Sequence, residues 1–139
     1  MKKSDKCLFC AVVKNNDPFH EIIWQNDNYM ALFDAHPITL GHTLVIPKAH
    51  HDNVLDYNKG SYLELMSHAM MVAQKLKLAA KAARVGFMIE GFSVPHLHVH
   101  LIPVNKHGEI AEFKHKKIGQ KKIANFAVAV RKKLNKKAK

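Results

Sequence analysis

The sequence predicts an α+β domain: an antiparallel sheet of five strands, one long helix, a short N-terminal helix and a C-terminal helix. Three observations carry this. Five short runs of β-branched, aromatic and aliphatic residues are set off by Asn, Asp, Gly and Pro. Between the third and fourth runs the apolar spacing changes from two residues to a helical period. The strand runs come in neighbouring groups and do not alternate one for one with helices, which favours an antiparallel sheet over a parallel one.

Each element can be justified in order. Residues 5 to 14, DKCLFCAVVK, follow a cap at Ser4 or Asp5 and read as a short helix. HEIIWQ (20 to 25) and YMALFD (29 to 34) are strands parted by Asn26, Asp27 and Asn28, a hairpin signal. HTLVIP (42 to 47) is a third strand, after the breakers Pro37 and Gly41. From Ser61 to about Arg84, the residues Tyr62, Leu65, Ala69, Val72, Leu76, Ala79 and Ala83 keep one apolar stripe, and Ser61 with Glu64 fits a capping box. Residues 85 to 90 and 96 to 102 return to strand, joined by Gly91 through Pro95. A last amphipathic helix runs on Ile123, Phe126 or Ala127, Val130 and Leu134.

The 139 residues carry no internal repeat and no Gly/Ser linker, so they read as one domain, 1 to 139. No apolar run of signal-peptide or membrane-span length is present, which predicts a soluble cytoplasmic protein with no membrane association. The net charge of +11 is local: residues 1 to 113 hold 11 Lys/Arg and 11 Asp/Glu, whereas 114 to 139 hold 11 Lys/Arg and no acid. Such a basic segment reads as a solvated helix face or tail, and secondarily as a weak, salt-sensitive contact for RNA or other polyanions. Its only aromatic residue is Phe126, with Phe113 just before it, which argues against base stacking.

HLHVHLIPV (96 to 104) places histidines at every second position. In a strand, residues i, i+2 and i+4 stand on one face, so His96, His98 and His100 are expected side by side. Imidazole can serve as base, nucleophile or metal ligand near neutral pH. One satisfied histidine would be ordinary, but three on one face point to catalysis or metal binding.

The pattern His-φ-His-φ-His-φ-φ, with φ apolar, resembles the histidine triad (HIT) family of nucleotide hydrolases and transferases. A second block, LFDAHPITLGHTLVIPKAHH (32 to 51), resembles that family's strand and turn ahead of its long helix, and CLFC resembles the opening of many bacterial members. The resemblance spans about residues 5 to 104 in the family's order; the basic segment 114 to 139 carries little of it. It implies a HIT-like fold that pairs into a homodimer through the long helix and an edge strand. Met66, Met70, Met71 and Leu78 give this helix apolar residues beyond a single stripe.

The chemistry follows from the residue types. Cleaving at a nucleotide's α-phosphorus needs a nucleophile and donors that hold the phosphate oxygens; a neutral imidazole supplies the first and forms a labile nucleotidyl-histidine. The resemblance assigns the nucleophile to His98, phosphate contact to His100 and a proton-relaying pair to His96 with His42. It places Asp34 on the ribose hydroxyls and Phe9, Val12, Leu32, Phe33 and Leu44 at or beside the purine-lining positions. Gly91 and Ser93 match a phosphate-contacting backbone and hydroxyl. The chain departs from the family at the hairpin before the triad, where EGFSVP has Phe92 in place of a glutamine and Glu90 near an expected asparagine.

Cys7 and Cys10, the only cysteines, form a C-x₂-C pair, a spacing that in a cytosolic protein suits a metal better than a disulfide. Two inert buried thiols are the plainer reading. The resemblance implies a structural zinc completed by His50 and His96. His20, His36, His51, His68, His107 and His115 have no partner that spacing identifies, and a satisfied or solvated ring is expected for each.

The leading function is a hydrolase or transferase acting on purine nucleoside phosphoramidates, adenylylated compounds or dinucleoside polyphosphates. A non-catalytic nucleotide-binding or interaction module on the same fold is the alternative. A metalloenzyme with three strand histidines as ligands is the third; the GHTLVIPKAH block disfavours it, because a generic metal strand does not predict that block.

Overall fold

The computed structural model describes residues 6–15, 20–111 and 115–136. The short helix runs Leu8–Asn15 (α1), and the expected caps, Ser4 and Asp5, lie outside the described residues, as does Phe113. Strands Ile22–Gln25 (β1), Tyr29–Phe33 (β2) and Thr43–Pro47 (β3) follow, then the long helix Lys59–Ala80 (α2). Strands Arg84–Met88 (β4) and Val99–Val104 (β5) and the helix Gln120–Asn135 (α3) complete the chain. The expected α+β architecture is present: the five strands form one sheet in the order β1-β2-β3-β5-β4, and every neighbouring pair is antiparallel.

Local chemistry sets the boundaries. Asn26 closes the first hairpin: its Oδ1 accepts from the backbone N–H of Asn28 at 3.0 Å and of Tyr29 at 2.8 Å. The long helix begins earlier than the sequence suggests, because Asn58, not Ser61, is its N-cap; Asn58 Oδ1 accepts from Ser61 N–H at 3.0 Å. The expected Ser61–Glu64 box therefore lies inside the helix, one turn past its cap. The helix also ends short of Arg84: Lys81 takes the left-handed conformation at φ 51° and its N–H bonds back to Leu78 and Lys77 carbonyls.

The two faces of the sheet differ. Alternation along β2 sends Ala31 and Phe33 toward α2 and α3, into a cluster with Val45, Leu65, Leu76, Val99, Leu101 and Ala127. Met30 and Leu32 point the other way and pack with Leu44, Ile46 and the α1 residues Phe9 and Val12. Gly41 (φ +92°) is needed where the chain enters β3, since a Cβ there would stand 2.7 Å from the Phe126 ring. Because both faces of the central strands are covered, all five residues of β2 and of β3 are buried. Among the described residues no helix is long and apolar enough to cross a membrane.

Candidate active site

β5 begins at Val99, so of the three triad histidines only His100 belongs to the ladder; His96 and His98 lie in the bent segment that leads into it. That segment is pinned by Leu97 N–H donating to the His51 carbonyl at 2.5 Å. His100 pairs with Leu44 in register, which places it on the α1 side of the sheet. His96 and His98 are buried there too, and Phe9 of α1 meets both edge-on, with ring centroids 5.8 Å and 5.2 Å away. The face opposite α2 therefore carries the triad.

Hydrogen bonds set the tautomer of each ring. The carbonyl of His96 lies 2.6 Å from His98 Nδ1, so that nitrogen carries the proton and His98 Nε2 keeps its lone pair. The Ile38 N–H donates to His42 Nδ1 at 3.0 Å, which leaves the proton of neutral His42 on Nε2. His42 Nε2 in turn stands 2.9 Å from His100 Nδ1, so His100 accepts there and holds its own proton on Nε2. The result is one unprotonated nitrogen on the central histidine beside one N–H donor on its neighbour, with the two rings 4.8 Å apart between centroids.

The expected partnership of His42 with His96 is not what the structure holds. His42 lies in the residue before β3, diagonal to His100 across the β3–β5 pair, and the two rings bond directly. His96 turns instead to the cysteines. Its Nε2 donates to the Pro47 carbonyl at 2.8 Å, which directs the Nδ1 lone pair at Cys7 Sγ (3.3 Å) and Cys10 Sγ (3.4 Å).

Burial pushes His42 and His100 down to about 4 from the ordinary imidazole value of 6.5. For His42 the charges of His115 and His98 add to this lowering; for His100 those of His98 and His42 do, with Asp34 opposing. Burial likewise lowers His96, against the hydrogen bond to Pro47. Asp34 Oδ2 lies 3.5 Å from His42 Nε2 and 4.0 Å from His100 Nδ1, so near neutral pH it faces uncharged rings. The side chains of Asp34 and His100 keep 18% and 14% of their surface exposed, whereas His42 keeps 1%. Solvent thus reaches the cluster from the Asp34 and His100 side.

Of the expected purine-lining residues, Phe9, Val12, Leu32 and Leu44 come together in one apolar cluster against the triad. Phe33 does not. It follows Leu32 on a strand, so its side chain takes the opposite face, where it stacks on Phe126 at 5.9 Å. Gly91 takes φ +91° in the loop between β4 and β5, and Ser93 is exposed in the same loop beside Phe92, which is 90% exposed.

Cys7, Cys10, His50 and His96 offer four ligand atoms within 4.8 Å of one another, including Cys10 Sγ 3.3 Å from His50 Nδ1. Tetrahedral zinc with sulfur and nitrogen ligands sets S···N separations of about 3.6 Å, close to those found. Neither cysteine is in a disulfide. Asp34, His42 and His100 form a second group of candidate ligands. There the 2.9 Å nitrogen separation is a hydrogen bond and is shorter than the roughly 3.3 Å that two zinc-bound nitrogens keep.

Spacing gave no signal for His115, which lies near the cluster. His115 lies close enough for its charge to lower His42, and its Nδ1 donates to the His36 carbonyl at 2.7 Å.

A five-stranded antiparallel sheet, with a histidine triad on the face away from its long helix and a fourth histidine just ahead of the neighbouring strand β3, defines a histidine triad domain. The HIT domain family model matches residues 15–107, and the chain belongs to that family. It is 32% identical over 102 residues to an uncharacterized HIT-like protein of Saccharolobus solfataricus, covering 70% of this chain and 73% of that one. It is also 32% identical over 115 residues to the adenosine 5'-monophosphoramidase HINT3 of Mus musculus, covering 76% of this chain and 68% of that one. Among solved structures, a histidine triad nucleotide-binding protein of Sulfolobus tokodaii superposes with a TM-score of 0.79 at 28% identity, over 92% of this chain and 91% of that one. A zinc-bound histidine triad family protein of Mycobacterium smegmatis gives 0.78 at 25% identity, over 94% of each chain.

Proposed function

We infer that this chain is a hydrolase or transferase that cleaves at the α-phosphorus of purine nucleoside phosphoramidates, and by the same chemistry of adenylylated compounds or dinucleoside polyphosphates. The observation that carries the reading is the 2.6 Å contact of His98 Nδ1 with the His96 carbonyl, which leaves Nε2 as a neutral nucleophile. Nε2 attacks phosphorus, the P–N bond breaks with its electron pair leaving on nitrogen, and the amine takes up a proton from solvent. Water then attacks the nucleotidyl-histidine, which releases the nucleoside monophosphate and regenerates His98. His100 Nε2–H donates to a phosphate oxygen while that charge develops, and His42 acts as its positioning residue by donating from Nε2 to His100 Nδ1. Asp34 accepts from the ribose hydroxyls, with the base toward the Phe9, Val12, Leu32 and Leu44 cluster and the phosphate toward Gly91 and Ser93.

Cys7, Cys10, His50 and His96 suit zinc. Bound there it would tie α1 to the sheet and supply no reaction chemistry, since four protein ligands leave no open position. A cytoplasmic location would keep the C-x₂-C pair available to the metal. The second reading, a binding module without turnover, is favoured by the 2% exposure of His98. Turnover of a fluorogenic adenosine 5′-phosphoramidate separates the two: release of the fluorophore supports the hydrolase, and tight nucleotide binding without release supports the module.

A further inference from the structure

Beyond Asp34 the C-terminal segment returns to the site. His115 Nδ1 donates to the His36 carbonyl at 2.7 Å and Lys116 N–H to the Pro37 carbonyl at 2.8 Å, so residues 115 and 116 are held against the turn that follows β2. That turn is tied to Asp34, whose Oδ1 accepts from His36 N–H at 2.8 Å. The rings of His36 and His115 meet edge-on, with centroids 6.2 Å apart. Together with Lys116, Lys117 and Gln120 they line an open cleft of ≈ 490 Å³ that starts one residue past Asp34.

The charge in this cleft is one-sided. Among the described residues no acid lines it, and the chain has none from residue 114 to its end. Glu109 does sense Lys116, but its carboxylate is already held by the backbone N–H groups of Asn105 and Lys106. A concave site whose described charged side chains are lysines and histidines raises the local concentration of anions. Its position selects which anion. If Asp34 holds the ribose hydroxyls, the atoms attached to the 2′- and 3′-oxygens leave toward His36 and His115, while the reacting 5′-phosphate lies on the other side of Asp34, at His98 and His100.

We propose that this cleft binds a phosphate monoester on the ribose 2′- or 3′-oxygen, so that the substrate class is a mononucleotide phosphorylated on both sides of its ribose. The proposal rests on the reading of Asp34 and the triad as a nucleotide site. The test compares adenosine 5′-phosphoramidate with its 2′-phosphate and 3′-phosphate derivatives, and with a dinucleotide that carries the phosphoramidate at its 5′ end. One well-placed charge-assisted contact corresponds to about a tenfold gain. We expect kcat/KM to rise by about that factor with a 2′- or 3′-phosphate, chiefly through KM. The gain should shrink with added salt and vanish in the Lys116→Ala/Lys117→Ala variant, whose turnover of the plain phosphoramidate stays at the wild-type rate.

Equal rates with and without the extra phosphate would overturn the proposal, as would a gain that survives in the double variant. A gain with the dinucleotide but not with the monoesters would overturn the mononucleotide assignment in favour of an RNA 5′ end. If no phosphoramidate is turned over, the hydrolase reading fails, and calorimetry still decides the cleft. Adenosine 3′,5′-bisphosphate binding about tenfold tighter than adenosine 5′-monophosphate supports the proposal, and equal affinity overturns it.

Discussion

His42 and His100, 58 residues apart in sequence, share one hydrogen bond of 2.9 Å between Nε2 and Nδ1. Because the Ile38 N–H occupies the far side of His42, the bond has one direction, and it fixes where His100 keeps its proton. His42→Ala is expected to lower kcat by about ten- to a hundredfold with a smaller change in KM, the range for a lost proton-positioning group. His42→Gln, which can donate from Nε2, should recover part of the loss. Steady-state kinetics on the two variants checks this; equal loss in both would mean that His42 does more than orient His100.

The same pair makes stability depend on pH. Both rings titrate at about 4 in the native protein, against 6.5 for an ordinary imidazole. As pH falls below 6.5 the unfolded chain takes up protons that the native state refuses, so stability is full above 6.5 and declines toward about 4. Thermal melts across that window should show Tm falling, and the fall should be shallower in His42→Phe, which removes one of the two groups.

The metal cluster gives a separate expectation. Purified without chelator, the protein should carry about one zinc per chain, and Cys7→Ser should lose both the metal and several degrees of Tm. Cys7 is 3% exposed and α1 has eight residues, too few for a helix to hold by itself in water. Elemental analysis finding no zinc in the wild type would remove the metal from the account.

The long helix leaves apolar surface uncovered. Leu63, Met70 and Leu78 of α2 are 62%, 57% and 60% exposed, and Phe87 on the edge strand β4 is 43% exposed. We expect a homodimer that covers them. Sedimentation should show a dimer at micromolar concentration that Met70→Glu/Leu78→Glu converts to monomer, and a wild-type monomer would contradict it.

Much of this was legible in the sequence because the signals are local. The α2 stripe on Leu65, Ala69, Val72 and Leu76 predicts its buried face, and all four are fully buried. The alternation of His96, His98 and His100 predicts their shared face, although the ladder starts only at Val99. What failed needed longer range. β2 is apolar on both faces, so nothing in YMALF says which residues face α1, and Phe33 and Leu32, as neighbours on a strand, cannot share the purine-lining face. The Asn58 cap was hidden by a competing Ser61–Glu64 pattern one turn later. The His42–His100 bond and the return of His115 to His36 depend on strand register and chain path, which no spacing encodes.

Turnover as proposed requires His98 Nε2 to become covalently linked to phosphorus. Rapid quenching of the wild-type protein with an adenosine 5′-phosphoramidate, followed by peptide mapping, tests it most directly. We expect an acid-labile nucleotidyl adduct on the peptide containing residues 96 to 104, assigned to His98. It should be absent in His98→Ala, whose turnover falls by several orders of magnitude while nucleotide affinity changes little. An adduct on His96 or His100, or near wild-type turnover in His98→Ala, would contradict it.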